Sequence, residues 1–227
     1  MQKRSLDKRG KLIVIDGSDG VGKATQTAML MKRLAKEGIP AKTLDFPQYE
    51  ANLFGRLIRE CLDGKYGDFI ALDAHIASAL YAADRFEAKP KIEKWLGEGK
   101  IVILDRYVSA NQLHQGGKIR DPKKRKEFLS WLDKMEFGVF KLPRPDRILY
   151  LHLPTEMSVR LIDKRGGKKD LAEKNLKYLA DARESGLKMI QAGNKWKKIE
   201  CSEKGGILPR EVIHERIYTD VRKIIGV

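Results

Sequence analysis

Residues Gly17–Thr25 read Gly-Ser-Asp-Gly-Val-Gly-Lys-Ala-Thr, a spacing of glycines and one lysine that can hold a polyphosphate. Glycines let backbone N–H groups turn inward on an anion, and a helix starting behind them adds the positive end of its dipole. Lys23 can then reach the terminal phosphates. The pattern ordinarily carries Ser or Thr after the lysine, whose hydroxyl meets Mg²⁺. Here that position is Ala24, followed by Thr25. Gly17, Ser18, Asp19, Gly20, Val21, Gly22, Lys23, Ala24 and Thr25 are thus expected to hold a nucleoside triphosphate.

Such a loop works only between a strand and a helix, and the flanking residues supply both. Lys11–Asp16 is a short apolar run with the look of a buried strand, and Gln26–Glu37 places Met29, Leu30, Leu34 and Ala35 at helical spacing. Further strands are expected at 39–46, 101–104, 147–153 and 196–200. Helices are expected at 53–62, 68–95 (with a new helix starting at Pro90), 122–140, 155–163, 171–192 and 209–225. Alternating strands and helices predict an α/β fold, a five-stranded parallel sheet covered on both faces. Ligands of such sheets bind at the carboxyl ends of the strands, so the loops after Asp16, Phe46, Leu104, Leu153 and Cys201 should share one edge.

Those loops carry Asp19, Lys23, Phe46, Asp105, Arg106 and Arg165. A dense set of cations with carboxylates at strand ends suits phosphoryl transfer, where catalysis is mostly positioning and electrostatic stabilisation. Asp105, ending a hydrophobic strand, is placed to hold Mg²⁺ or its water shell. The Gly-Gly segment within 164–170 reads as a lid whose cations swing onto the phosphates.

The chain has 227 residues, 42% apolar and 34% charged, which suits a soluble globular protein with a full core. We expect a basic N-terminal tail at residues 1–10 and a single domain over 11–227. Its apolar runs are far shorter than the ~20 residues a membrane helix needs. Two cysteines, Cys61 and Cys201, make no disulfide framework and leave a reducing cytoplasm as the expected compartment. A net charge of +15 suits anionic partners, nucleotides or nucleic acid alike.

In order along the chain come Asp16-Gly-Ser-Asp-Gly-Val-Gly-Lys23, Phe46-Pro47, Tyr81-Ala-Ala-Asp-Arg85-Phe, Asp105-Arg-Tyr107, Gln115-Gly116, Leu142-Pro-Arg-Pro-Asp146, and Asp170-x-x-Glu173 before Tyr178-Leu179. With these motifs the chain resembles the thymidylate kinases, P-loop nucleoside monophosphate kinases that pass the ATP γ-phosphate to dTMP. The resemblance implies a P-loop NTPase fold with a short lid, MgATP as donor, dTMP as acceptor and a homodimer, with no nucleic-acid or membrane partner.

Carried over by position, the resemblance has Lys23, Asp19, Arg106 and Arg165 as the catalytic set, Asp19 and Arg106 managing the dTMP phosphate. Tyr81 would stack on thymine, Arg85 would bond its carbonyl and Asn111 its edge. Phe46, Tyr49 and His114 would complete the acceptor pocket. Arg160 and Arg165 would lie near adenine and phosphates, and the stretch after Cys201 would border adenine. Asp105, Thr25 and Asp19 would serve the metal. Because Gly20 stands where some members place an arginine, the lid must supply that cation. Read as residues alone, Tyr81 lies on an apolar helical stripe, and Arg85 beside Asp84 makes a surface pair worth under about 1 kcal/mol.

The chain departs from the family at Ala24, at Gln48-Tyr49 where an arginine is usual, at Ala110 for serine, and at His114 for a tyrosine under the sugar. Three of these cluster on the acceptor, so an acceptor other than dTMP, such as dUMP, is one alternative. Another is a nucleic-acid-binding P-loop ATPase, against which the strand ending at Asp105 continues Arg-Tyr with no water-activating carboxylate. A catalytically silent relative is the third, opposed by Lys23, Asp105 and Arg106.

Overall fold

The structure, a computed structural model, describes residues 9–193 and 195–226. Of the expected basic tail, residues 1–8 lie outside the described residues. Gly10 is buried and its N–H donates to Leu96 O at 2.8 Å.

The apolar runs form a five-stranded parallel sheet of order β2-β3-β1-β4-β5. Its strands are β1 (Leu12–Gly17), β2 (Ala41–Asp45), β3 (Ile101–Asp105), β4 (Arg147–His152) and β5 (Trp196–Glu200). Every residue of β1 is buried, as a central parallel strand covered on both faces requires. Leu12 and Val14 point into one core with Val102, Leu104 and Tyr150. Ile13 and Ile15 point into the other with Ile103, Leu149 and Leu151. Helices α1 (Lys23–Lys36) and α9 (Arg210–Ile225) close the second face through Leu30, Leu34, Ile213 and Ile217. On the first face lie α3 (Ala74–Gly97), α4 (Val108–Lys118) and α8 (Leu176–Ala192), after α2 (Leu53–Leu62) packs on α3. Since β1 lies between β3 and β4, the loop after it opens at a topological switch point, where such sheets bind ligands.

Several elements differ from expectation. The helix expected to restart at Pro90 is one continuous element, Ala74–Gly97, with Pro90 inside it. The proline costs about 3 kcal/mol, while full burial of Ile92 and Leu96 returns about 1.5–3 kcal/mol each. Residues 69–72 are turn and bend, with the N–H groups of Ile70 and Ala71 bonding Asp68. The expected helix 122–140 stops as α5 (Pro122–Asp133) and widens into a π-helical turn, Lys134–Val139. After α6 (Thr155–Arg165), the stretch expected as 171–192 breaks into α7 (Leu171–Lys174) and α8, each capped by its own side chain: Asp170 on Glu173 N–H and Asn175 on Tyr178 N–H.

Helix α4 was not expected, because Val-Ser-Ala-Asn-Gln-Leu-His-Gln-Gly-Gly-Lys carries weak helix formers. Burial creates it: Val108, Ser109, Asn111, Leu113, Gln115 and Gly116 are buried. At Gly117 a Cβ would stand 2.9 Å from Asp181 O, so the glycine admits the close approach of α8. A short hairpin, β6 (Ser202–Glu203) with β7 (Gly206–Ile207), follows β5 at the ligand edge. Both cysteines are buried and free.

Candidate active site

The loop after β1 turns back on itself before α1. Lys23 leads that helix, is buried, and donates through Nζ to Gly17 O at 3.1 Å and Ser18 O at 2.8 Å. Burial and the neighbouring Arg106 lower its pKa, against the charges of Asp19, Asp105 and Asp16, which raise it.

Arg106, one residue past β3, sits in the left-handed region with φ 65°, an uncommon place for a non-glycine residue that clusters at functional sites. Its N–H donates to Ile15 O at 2.9 Å, so the sheet itself fixes this backbone. The side chain donates to Asp19 Oδ1 and, at 3.0 Å, to His114 Nε2, with Asp16 at 3.6 Å. Against the cost of burial, the charges of Asp19, Asp16 and Asp105 raise its pKa. Burial likewise opposes the charge on Asp19, yet Arg106 and Lys23 hold that carboxyl well below the usual range. Asp16 goes the other way, raised chiefly by burial, and its oxygens accept from Gly17 N–H and Ser109 Oγ. Burial, then Arg106, pushes His114 down to about 3. It is a neutral ring stacked on Tyr178 at 5.3 Å.

Next to this cluster opens a cleft. Asp19, Phe46, Tyr49, Tyr81, Arg85, Arg106, Asn111 and His114 all line it, so every residue assigned to the acceptor converges there. Phe46 leans on Tyr107 at 6.0 Å and Tyr81 on Phe69 at 5.8 Å. The Phe46–Pro47 peptide is cis. Arg85 and Asp84 are both buried and do not make a surface pair. Asp84 accepts from Gln48 N–H at 3.1 Å and Asn52 Nδ2 at 2.9 Å, tying this loop to α3. Arg85 instead pairs with Glu136.

Asp105 ends β3 beside Asp45 and Ile15, with its pKa raised by burial and moderated by Lys23 and Arg106. No other described residue donates a hydrogen bond to its carboxylate, so its hard oxygens are available to a divalent cation. Among the described residues no three His, Cys, Asp or Glu side chains form a metal cage. A lone carboxylate such as Asp105 is of the kind that holds a hard divalent cation together with substrate phosphates. Thr25 is exposed on the first turn of α1.

The donor-side cations are dispersed. Arg160 and Arg165 are exposed on α6, and Arg165 bonds Glu173 at 2.9 Å. Lys169 pairs with Asp163, and Lys168 lies 3.8 Å from Asp63. Sequence reasoning missed Asp16, Ser109 and Glu136 as contributors. Asp16 was legible as a carboxylate at the strand end, whereas Glu136 becomes central only through the π-helical turn.

A family model described as Thymidylate kinase matches residues 15–214. The chain belongs to the thymidylate kinase family. The family comprises nucleoside monophosphate kinases, and the relatives carry its name. The thymidylate kinase of Mycobacterium tuberculosis (strain H37Rv) is 31% identical over 147 residues, 65% of this chain and 68% of the relative. The thymidylate kinase of Homo sapiens is 32% identical over 64% of this chain and 62% of its own. A probable thymidylate kinase of Thermococcus gammatolerans is 34% identical over 80% of this chain and 84% of its own. In fold, the solved thymidylate kinase of Candida albicans superposes with a TM-score of 0.72 at 23% identity, covering 96% of this chain and 94% of that one. Family membership selects phosphotransfer over the nucleic-acid-binding alternative. Among the described residues no helix is long and apolar enough to cross a membrane.

Proposed function

We propose that the chain phosphorylates dTMP to dTDP with MgATP. The observation that carries this reading is Arg106: sheet-anchored at φ 65°, it bridges the phosphate loop through Asp19 to the cleft lined by Tyr81, Arg85 and Asn111. A guanidinium so placed can hold the acceptor phosphate in line with the donor's terminal phosphate, its fork matching the phosphate oxygens. Lys23 meets the β- and γ-phosphates by exchanging its Gly17 and Ser18 carbonyl partners for phosphate oxygens. Tyr81 and Phe46 sandwich the base, and Arg85 with Asn111 read its edge.

Arg165 is the lid cation of this reading. Leaving Glu173, it turns toward Asp19, whose charge it already senses. Gly166 and Gly167, both at positive φ, give residues 166–169 the freedom for that swing. Asp105 and Asp19, with Thr25 on the following turn, would hold Mg²⁺, which would supply charge neutralisation of the donor phosphates. A homodimer and a cytoplasmic location accompany this reading.

ADP release from MgATP across dTMP, dUMP, ribo-TMP, dCMP and dGMP tests it. A dominant rate with dTMP is expected. Equal rates with ribose and deoxyribose acceptors would mean that His114 does not gate the sugar. No ADP with any acceptor would remove the kinase reading.

A further inference from the structure

The inner end of the cleft is built on a carboxylate that belongs to none of the chain's motifs. Glu136 is 0% exposed, turned inward by the π-helical turn. Its Oε2 accepts from Arg85 Nε at 2.8 Å and its Oε1 from Arg85 Nη2. The same Oε1 accepts from Asn111 Nδ2 at 3.1 Å. One oxygen therefore joins side chains from α3 and α4, both lining the cleft.

The donor inventory fixes what remains. Arginine carries five N–H groups; Glu136 takes two of Arg85's and Tyr107 O takes a third at 3.3 Å. One N–H on Nη1 and one on Nη2 are uncommitted. Asn111 Nδ2 donates to Ser78 O at 3.2 Å as well as to Glu136. Both partners can only accept, so the amide cannot be turned over, and Oδ1 is the atom it offers a ligand.

We propose that Glu136 is a positioning residue that sets the hydrogen-bond polarity of the acceptor-base end of the cleft, a donor from Arg85 beside an acceptor from Asn111. The inference rests on the dTMP kinase reading and names what selects the base. A pyrimidine with a carbonyl at C4 and an N–H at N3 meets this pair in matching order. A 4-amino pyrimidine presents donor and acceptor in reverse, so both contacts fail and buried polar groups lose their partners. Arginine always donates, whereas an asparagine amide can present either end. Glu136 and Ser78 remove that choice.

The probe is 5-methyl-dCMP, which keeps the sugar, phosphate, ring and methyl of dTMP and reverses only the order at C4 and N3. For the full chain, kcat/KM for dTMP should exceed that for 5-methyl-dCMP by on the order of 10³ or more. In Glu136→Gln an amide nitrogen replaces one oxygen facing Arg85. The dTMP kcat/KM should fall about tenfold, mainly through KM, and the 5-methyl-dCMP value should hold or rise, narrowing the ratio about tenfold or more. A merely structural role would slow both acceptors by one factor; that result overturns the proposal, as does an unmutated ratio within about threefold. If Glu136→Gln does not fold by circular dichroism melting, Glu136→Asp keeps the charge beside Arg85 but is too short to hold Asn111 as well. There too a narrowed ratio supports the proposal and a uniform loss overturns it. Turnover of dTMP without discrimination at the base removes only the role of Glu136, whereas absence of turnover with any nucleoside monophosphate removes the kinase reading along with it.

Discussion

The acceptor cleft and the α6–α7 connection carry similar charges and use them in opposite ways. In the cleft, Arg85 is 2% exposed against Glu136 at 0%, and Arg106 is wedged between Asp19 and His114. Each of these charges is desolvated and answered, and removing one partner of such a pair is strongly destabilising. In the connection, Arg165 is 55% exposed and Lys168 73% exposed, where ion pairs contribute about 0–1 kcal/mol. The contrast separates two jobs. Groups that must be in place before a substrate arrives are locked by burial, at the expense of adaptability. Groups that the proposed function has meeting a phosphate late are held by contacts weak enough to exchange.

Arg106→Ala attacks the locked side at its most connected point. Steady-state ADP release should show kcat/KM with dTMP lowered about 10³-fold or more, in the range of arginine clamps in phosphoryl transfer. A loss under tenfold would mean that the anchored guanidinium does not touch the transferring group. Glu136→Leu leaves Arg85 buried without its carboxylate, and urea unfolding should register a loss of about 3–5 kcal/mol. On the exchangeable side, Arg165→Ala should lower kcat about 10³-fold while the unfolding free energy from urea titration stays within about 0.5 kcal/mol of the parent. A variant that lost stability and kept its rate would erase the distinction between the regions.

Acid should probe the cleft selectively. The His114 value of about 3 lies below its ordinary 6.5, so the folded protein binds fewer protons than the unfolded chain between those limits, and stability rises with pH across that window. Acidification to pH 5 should cost up to about 2 kcal/mol through this one group. His114→Gln should flatten the melting temperature against pH between 5 and 6.5; an unchanged slope would place the acid sensitivity elsewhere. Smallest of all, Lys168→Ala should shift stability by less than about 0.5 kcal/mol, which differential scanning calorimetry can bound.

Much of the frame was legible from local pattern. The apolar run of β1, the glycine loop behind it and the strand end at Asp105 each announce themselves within a few residues, and the sheet edge they predict carries Lys23, Arg106 and Asp19 together. What escaped depends on contacts far apart in sequence. Helix α4 looks like loop because Asn111, Gly116 and Gly117 are chosen for a buried crossing with α8 rather than for helix propensity. Pro90 looks like a start because the burial of Ile92 and Leu96 is invisible locally. Glu136 lies 51 residues from Arg85, in a segment that reads as an ordinary amphipathic helix until one turn widens. Arg85 beside Asp84 shows the same limit: adjacency suggested a pair, and the fold gave each a different partner.

Gly20 bears on the history open to this chain. It sits at φ 79°, and a Cβ there would stand 2.5 Å from Ser158 O and 2.7 Å from Ile162 Cγ1 of α6. Backbone cannot yield as a flexible side chain can, so a descendant could not acquire an arginine in the phosphate loop by one substitution. Helix α6 would have to retreat first, and α6 also carries Arg165, the lid cation of the proposed function. Moving the cation from lid to loop would disturb the old supplier before the new one worked. On the proposed function, the two arrangements would be separated by a weakened intermediate, and this packing holds the chain to its lid.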